Sequence, residues 1–212
     1  MNDTHNDTPN ETDESLEREL PPLVTMGDPE LARPSPPVDV ARLGTAEFLE
    51  LVGLLRECMA AYQGVAIAAP QIGWFERLFV MTEPAVDESG EETMRLVNWV
   101  NPEIFWRSGE QNWSWEGCLS VPDLRGWLRR PAAVSVRGLD EHGQTMSREF
   151  TGWNARVFQH EFDHLDGVLF PYRVQDPRHL VTLEAMAGRE DWPQDWPAPG
   201  ARDTPVGQVM DE

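Results

Sequence analysis

Five consecutive residues, His160-Glu161-Phe162-Asp163-His164, carry the clearest chemical signal in the chain. On a helix, residues four apart share a face, so the two imidazoles can be directed at one ion. Glu161 lies about 100° further round the helix. From there its carboxylate can reach a water beside the ion without becoming a ligand. This is the HExxH arrangement of a hydrolytic metal site, with the Glu as proton carrier. The same pattern also arises by chance on solvated helix faces. Here the neighbouring Val157, Phe158 and Leu165 give the segment an apolar side and argue for burial.

Two imidazoles leave such a site incomplete, because a catalytic ion takes a third protein ligand and keeps one position for water. The candidates are Cys118, His142, His179 and the acids. His142 falls in an expected turn and His179 beyond a proline, which places both toward solvent. Nothing downstream of the helix matches the spacing of the common zincins. Cys118 stands out within Glu116-Gly117-Cys118-Leu119-Ser120, where Gly117 permits a sharp turn or a close approach. A Cys, His, His set has an open position, and a thiolate favours zinc or ferrous iron over magnesium or calcium. A third segment, 64–71, is rich in small residues and runs from Gly64 to Gln71. It would let a substrate strand approach the backbone, although a tightly packed core strand has the same composition.

These groups need elements to hold them. Phe48, Leu51, Val52, Leu55, Met59 and Tyr62 recur at helical spacing, with Thr45 as N-cap and Gly64 as the stop. Cys58 lies inside this helix and reads as a small core residue. Strands are expected at 77–81, 96–100 and 133–139, the last followed by a hairpin turn at 140–143. The metal-site helix is expected at 153–166, ended by Gly167, and a third, short helix at 178–187. Strand runs framed by helices without strict alternation predict an α+β fold, with mostly antiparallel β-sheets packed around the helix that carries HExxH.

The expected organisation is a disordered acidic tail (1–19), a single catalytic domain (20–188) and a Pro- and acid-rich flexible C-terminal tail (189–212). Nine Trp, several of them within 99–127, suggest an aromatic-rich β region. The formal net charge is −20, and all 17 basic residues are Arg. Such a surface repels phosphate backbones, so direct nucleic-acid binding is not expected. No apolar run approaches the roughly 20 residues that cross a bilayer. The N-terminal stretch has neither the basic nor the apolar region of a secretory signal. Two cysteines do not make a disulfide scaffold. The expected setting is the cytoplasm, with no membrane association.

Taken in order, the three segments resemble the three motifs of the peptide deformylase family. Gly64–Gln71 is similar to its Gly-rich strand ending in Ala-Ala-x-Gln. Residues 116–120 match Glu-Gly-Cys-Leu-Ser completely, and 159–165 match Gln-His-Glu-x-Asp-His-Leu. The likeness runs from about 27 to 170. It implies removal of the formyl group from the N-terminal formyl-methionine of nascent peptides, with release of formate. Cys118, His160 and His164 would hold the metal, Fe2+ in the family's natural form, with Zn2+ or Ni2+ as substitutes. Water activated by that metal would attack the formyl carbon. Glu161 would carry the proton, and Gln71 with the Leu119 N–H would stabilise the oxyanion. The substrate would add as a strand along Val65 and Ala66, Val157 would wall the methionine pocket, and Arg130 would lie near the substrate backbone.

Two departures stand out. The first motif usually has a second Gly where this chain has Ala66, and an added methyl there bears on the groove. Some family members dock on the ribosome by a basic C-terminal helix; the ribosome is therefore a candidate partner, but the acidic C-terminus here offers no such helix. Two other readings remain open at this point: an HExxH metallopeptidase cutting internal bonds, and a non-catalytic deformylase-like protein.

Overall fold

The structure, a computed structural model, describes residues 19–206. Of the 1–19 acidic tail expected from composition, all but Glu19 lies outside the described residues. Helix α1 (Ala46–Ala61) starts where expected: the Thr45 hydroxyl accepts from the Phe48 N–H. Its apolar stripe, Phe48, Val52, Leu55 and Met59, is buried.

Among the described residues, eight strands form two antiparallel sheets. Strands β1 (Ala66–Ala68), β2 (Leu78–Val86), β3 (Glu92–Arg107), β6 (Ala133–Leu139) and β7 (Thr145–Thr151) make the larger, in the order β1-β2-β3-β6-β7. Strands β4 (Gln111–Cys118), β5 (Val121–Pro131) and β8 (Leu180–Thr182) make the smaller, in the order β4-β5-β8. Helix α2 (Gly152–Leu165) packs against both sheets. One core cluster joins Phe79, Met81, Trp99 and Val136 of the large sheet to Ala155, Phe158 and Leu165 of α2. A second joins α1 to the opposite face of that sheet through Leu78, Val80 and Val100. The expected α+β architecture, antiparallel sheets around the HExxH helix, is the one observed.

Three expectations change. Strand β3 reaches far beyond 96–100. Register shifts at Val100/Glu103 and Ile104/Trp106 let one long strand serve both β2 and β6. The third helix shrinks to α3 (Leu183–Ala187), because Leu180–Thr182 pairs with Leu124–Gly126 as β8 and Thr182 caps what remains. Sheet pairing here overrides local propensity. Finally, much of the C-terminal stretch expected to be flexible is packed. Ala201 is fully buried with Trp115 and Trp127, and Trp192, Ala198 and Val206 lie against them. The Trp115 indole N–H donates to the Ala201 carbonyl (2.7 Å). Pro and acidic content signalled a tail, but two buried indoles supply an apolar surface for it to cover.

Candidate active site

Helix α2 turns its apolar side to the large sheet, which leaves His160, Glu161 and His164 facing the β4–β5 hairpin. Cys118 ends β4 and pairs with Val121 across a tight turn. Gly117 makes room for Arg125: a Cβ would lie 2.7 Å from its guanidinium, which would have to shift. One ligand atom each from Cys118, His160 and His164 falls within 4.8 Å of the others. The Cys118 sulfur is 3.2 Å from His164 Nε2. The three residues chosen as ligands from sequence are thus neighbours in space, while His142 is exposed in its turn.

The surroundings suit a cation. Glu161 is buried beside the triangle, and its Oε2 has no hydrogen-bond partner among the described residues. Burial pushes its carboxyl up to about 7, against the opposing charges of His160 and Arg130. A positive ion at the three donors would supply the counter-charge that this carboxylate lacks. Burial, with the positive neighbours His160 and Arg130, holds His164 well below the usual imidazole range. It is therefore neutral, the form that ligates.

His160 is oriented by Glu116. Its Nδ1 lies 3.0 Å from Glu116 Oε2, which leaves Nε2 for the ion. Burial opposes a charge on this ring, yet its hydrogen bonds to Cys118 and Glu116 hold it well above its ordinary range. Glu116 is itself gripped from behind. Its Oε1 accepts from Arg130 Nε (2.6 Å) and one Arg156 nitrogen (2.6 Å), and its Oε2 accepts from a second Arg130 nitrogen (2.8 Å). Burial alone would raise its carboxyl, but Arg130 and His160 bring it well below the carboxylate range. Arg130 also bonds Asp163 (2.8 Å), which Arg173 holds through two further bonds.

This placement corrects the reading of Arg130. It is neither a groove residue nor an exposed one: it is 5% accessible, and its nitrogens are committed to Glu116 and Asp163. Two adjacent arginines on a strand point to opposite faces, so only Arg129 of the pair is exposed. The role of Glu116 was missed by sequence reasoning. A signal existed, since two residues before Cys118 on a strand is the same side of the sheet.

Strand β1 lies at the edge of the large sheet. The Val65 carbonyl accepts from the Thr82 N–H (3.0 Å), so alternation directs Ala66 to the outer edge. On that edge the Ala68 N–H donates to Gln71 Oε1 (2.8 Å). This fixes the amide so that its NH2 points at Ser120 Oγ (3.3 Å) and the Cys118 sulfur (3.7 Å). The pocket beside the triangle is lined by Val65, Ala66, Gln71, Leu119, Val157 and Glu161, with Trp153 and Arg156 as walls that sequence reasoning did not name. A strap from the N-terminal side braces both loops: Val24 N–H bonds the Gln71 carbonyl and Met26 N–H the Ser120 carbonyl.

Comparison with known proteins places this constellation in context. A family model described as polypeptide deformylase matches residues 20–179. Peptide deformylase 3 of Streptomyces avermitilis is 42% identical over 182 residues, covering 83% of this chain and 80% of that protein. Peptide deformylase 1 of Nitrosomonas europaea is 36% identical, covering 79% and 94%. The crystal structure of a Met-Ala-Ser-bound class I type b peptide deformylase from Acinetobacter baumannii superposes with a TM-score of 0.67 at 34% identity. It covers 74% of this chain and 99% of that one. The peptide deformylase of Thermotoga maritima gives 0.63 at 32% identity, covering 75% and 100%.

Proposed function

The chain belongs to the peptide deformylase family, and on that premise we propose how its residues remove the formyl group from N-terminal formyl-methionine of nascent peptides. One observation carries the reading: a largely buried Cys, His, His triangle beside Glu161, whose Oε2 has no hydrogen-bond partner among the described residues, with an open pocket in front.

Cys118, His160 and His164 would hold a divalent ion, Fe2+ by the thiolate donor and the family, with Zn2+ or Ni2+ able to replace it. When bound, the ion supplies Lewis acidity, which makes water nucleophilic at neutral pH and polarises the formyl oxygen. Glu161 accepts the proton from the attacking water and delivers it to the amine nitrogen as the C–N bond breaks. The products are formate and a free methionine amine. Charge that gathers on the formyl oxygen is met by the Gln71 NH2, whose amide the Ala68 N–H holds in place, and by the Leu119 N–H.

The free edge of β1 receives the peptide as an added strand along Val65 and Ala66. Main-chain pairing is indifferent to side-chain identity, which suits an enzyme acting on many nascent chains. Val157, Trp153 and Leu119 give the methionine side chain an apolar seat. Glu116, Arg130 and Asp163 position the ring of His160 rather than touch the substrate.

A metallopeptidase is less well supported, because the third candidate ligand is a Cys upstream of the helix. The deciding experiment offers formyl-Met-Ala-Ser and a longer formylated peptide to protein purified without oxygen. Formate and free Met-Ala-Ser uphold the proposal; new internal termini without formate would overturn it.

A further inference from the structure

On another side of α2 from the groove lies a second cavity of about 300 Å³. Arg107, Arg129, Arg130 and Arg173 line it, and Asp163 is the acid among its lining residues. Four of the chain's 17 basic residues thus meet at one place in a protein with 37 acids. Asp163 is already bonded to Arg130 and Arg173. Arg129 lies over the Trp113 ring, and neither it nor Arg107, both exposed, has a carboxylate partner among the described residues. Two exposed arginines without a carboxylate partner among the described residues thus line one cavity, in a chain with a large acid excess, and the reaction does not use them.

We propose that this cavity binds a phosphate dianion, free or as the terminal group of a small phosphomonoester. Guanidinium forks match the paired oxygens of a phosphate; Arg130 and Arg173 are held by Glu116 and Asp163, which leaves Arg107 and Arg129 as the forks without a carboxylate. The net charge of −20 repels long polyanions, so the field favours a small ligand over nucleic acid. Ile104 and Phe162 offer apolar cover for an organic portion. Arg130 is shared with Glu116, which orients His160, so a bound anion also bears on a metal-ligand ring.

The test titrates metal-loaded full-length protein with inorganic phosphate, and separately with glycerol 2-phosphate, at constant ionic strength held by sodium chloride. Heat of binding and thermal midpoint are both read. Saturable binding is expected, with half-saturation at least about tenfold weaker in Arg107→Gln/Arg129→Gln and unchanged in the exposed Arg33→Gln. Binding of both ligands assigns the site to phosphomonoesters, and binding of phosphate alone assigns it to the free ion. The proposal is overturned if phosphate and chloride act alike at matched ionic strength. It is equally overturned if phosphate binds the double variant as it binds the parent, with circular dichroism showing that variant folded.

Discussion

Replacing Glu116 by Gln probes how the ligand triangle is held. The side chain keeps its shape, but four bonds require both of its terminal atoms to be acceptors. Oε1 serves Arg130 and Arg156, and Oε2 serves Arg130 and His160. An amide has one acceptor atom, so its NH2 must face either two guanidiniums or one guanidinium and the imidazole. The second choice is less costly, and it turns a donor toward His160 Nδ1. The ring then satisfies that donor only by moving its proton to Nε2, the nitrogen needed for the ion. Two effects follow. Removing one member of a buried ion pair typically costs about 3–5 kcal/mol of stability; Asp163 still balances Arg130, which favours the lower end. Losing the carboxylate behind a ligating His typically weakens metal binding about 10–100-fold. Urea unfolding of the metal-free protein reads the first and competition with a chromophoric chelator the second. A variant with unchanged metal affinity and a stability loss below about 1 kcal/mol would refute the argument that Glu116 orients His160.

Other substitutions test the rest of the site. Gln71→Ala removes the aimed NH2 and should lower kcat by about 10²–10³-fold with metal content intact; formate release alongside metal analysis checks it. Ala66→Gly removes a methyl group from the pocket lining and should change kcat/KM for formyl-Met peptides without loss of bound ion; identical kinetics would show that the methyl does not bear on the groove. Ending the chain at Gly188 strips Ala201 and Trp192 from Trp115 and Trp127. Baring even ~100 Å² of indole costs about 2.5 kcal/mol. The denaturation midpoint should therefore fall, and an unchanged midpoint would mean that the segment contributes no stability.

The parts of this molecule that were readable from its sequence are those set by local spacing. His160 and His164 share a helix face because four residues make just over one turn, and α1 declares itself by its apolar stripe and its Thr45 cap. Cys118 was reached by elimination among few candidates, helped by its Gly neighbour. What escaped notice depends on residues brought together by the fold. Arg130 was expected near the substrate backbone, yet it reaches Glu116 on the adjacent strand and Asp163 on α2. The β8 segment resembled a helix until β5 offered an edge to pair with. The C-terminal stretch had the composition of a tail, and only the indoles of Trp115 and Trp127 give it a surface to cover.

The account rests most heavily on Glu161 as a proton carrier that is not itself a ligand. The direct measurement compares anaerobically purified parent and Glu161→Gln for bound metal and for formate released from formyl-Met-Ala-Ser. The account predicts about one divalent ion per chain in both proteins, with formate release in the variant reduced by about 10²–10⁴-fold. Undiminished release would contradict it, as would a variant that fails to retain the ion.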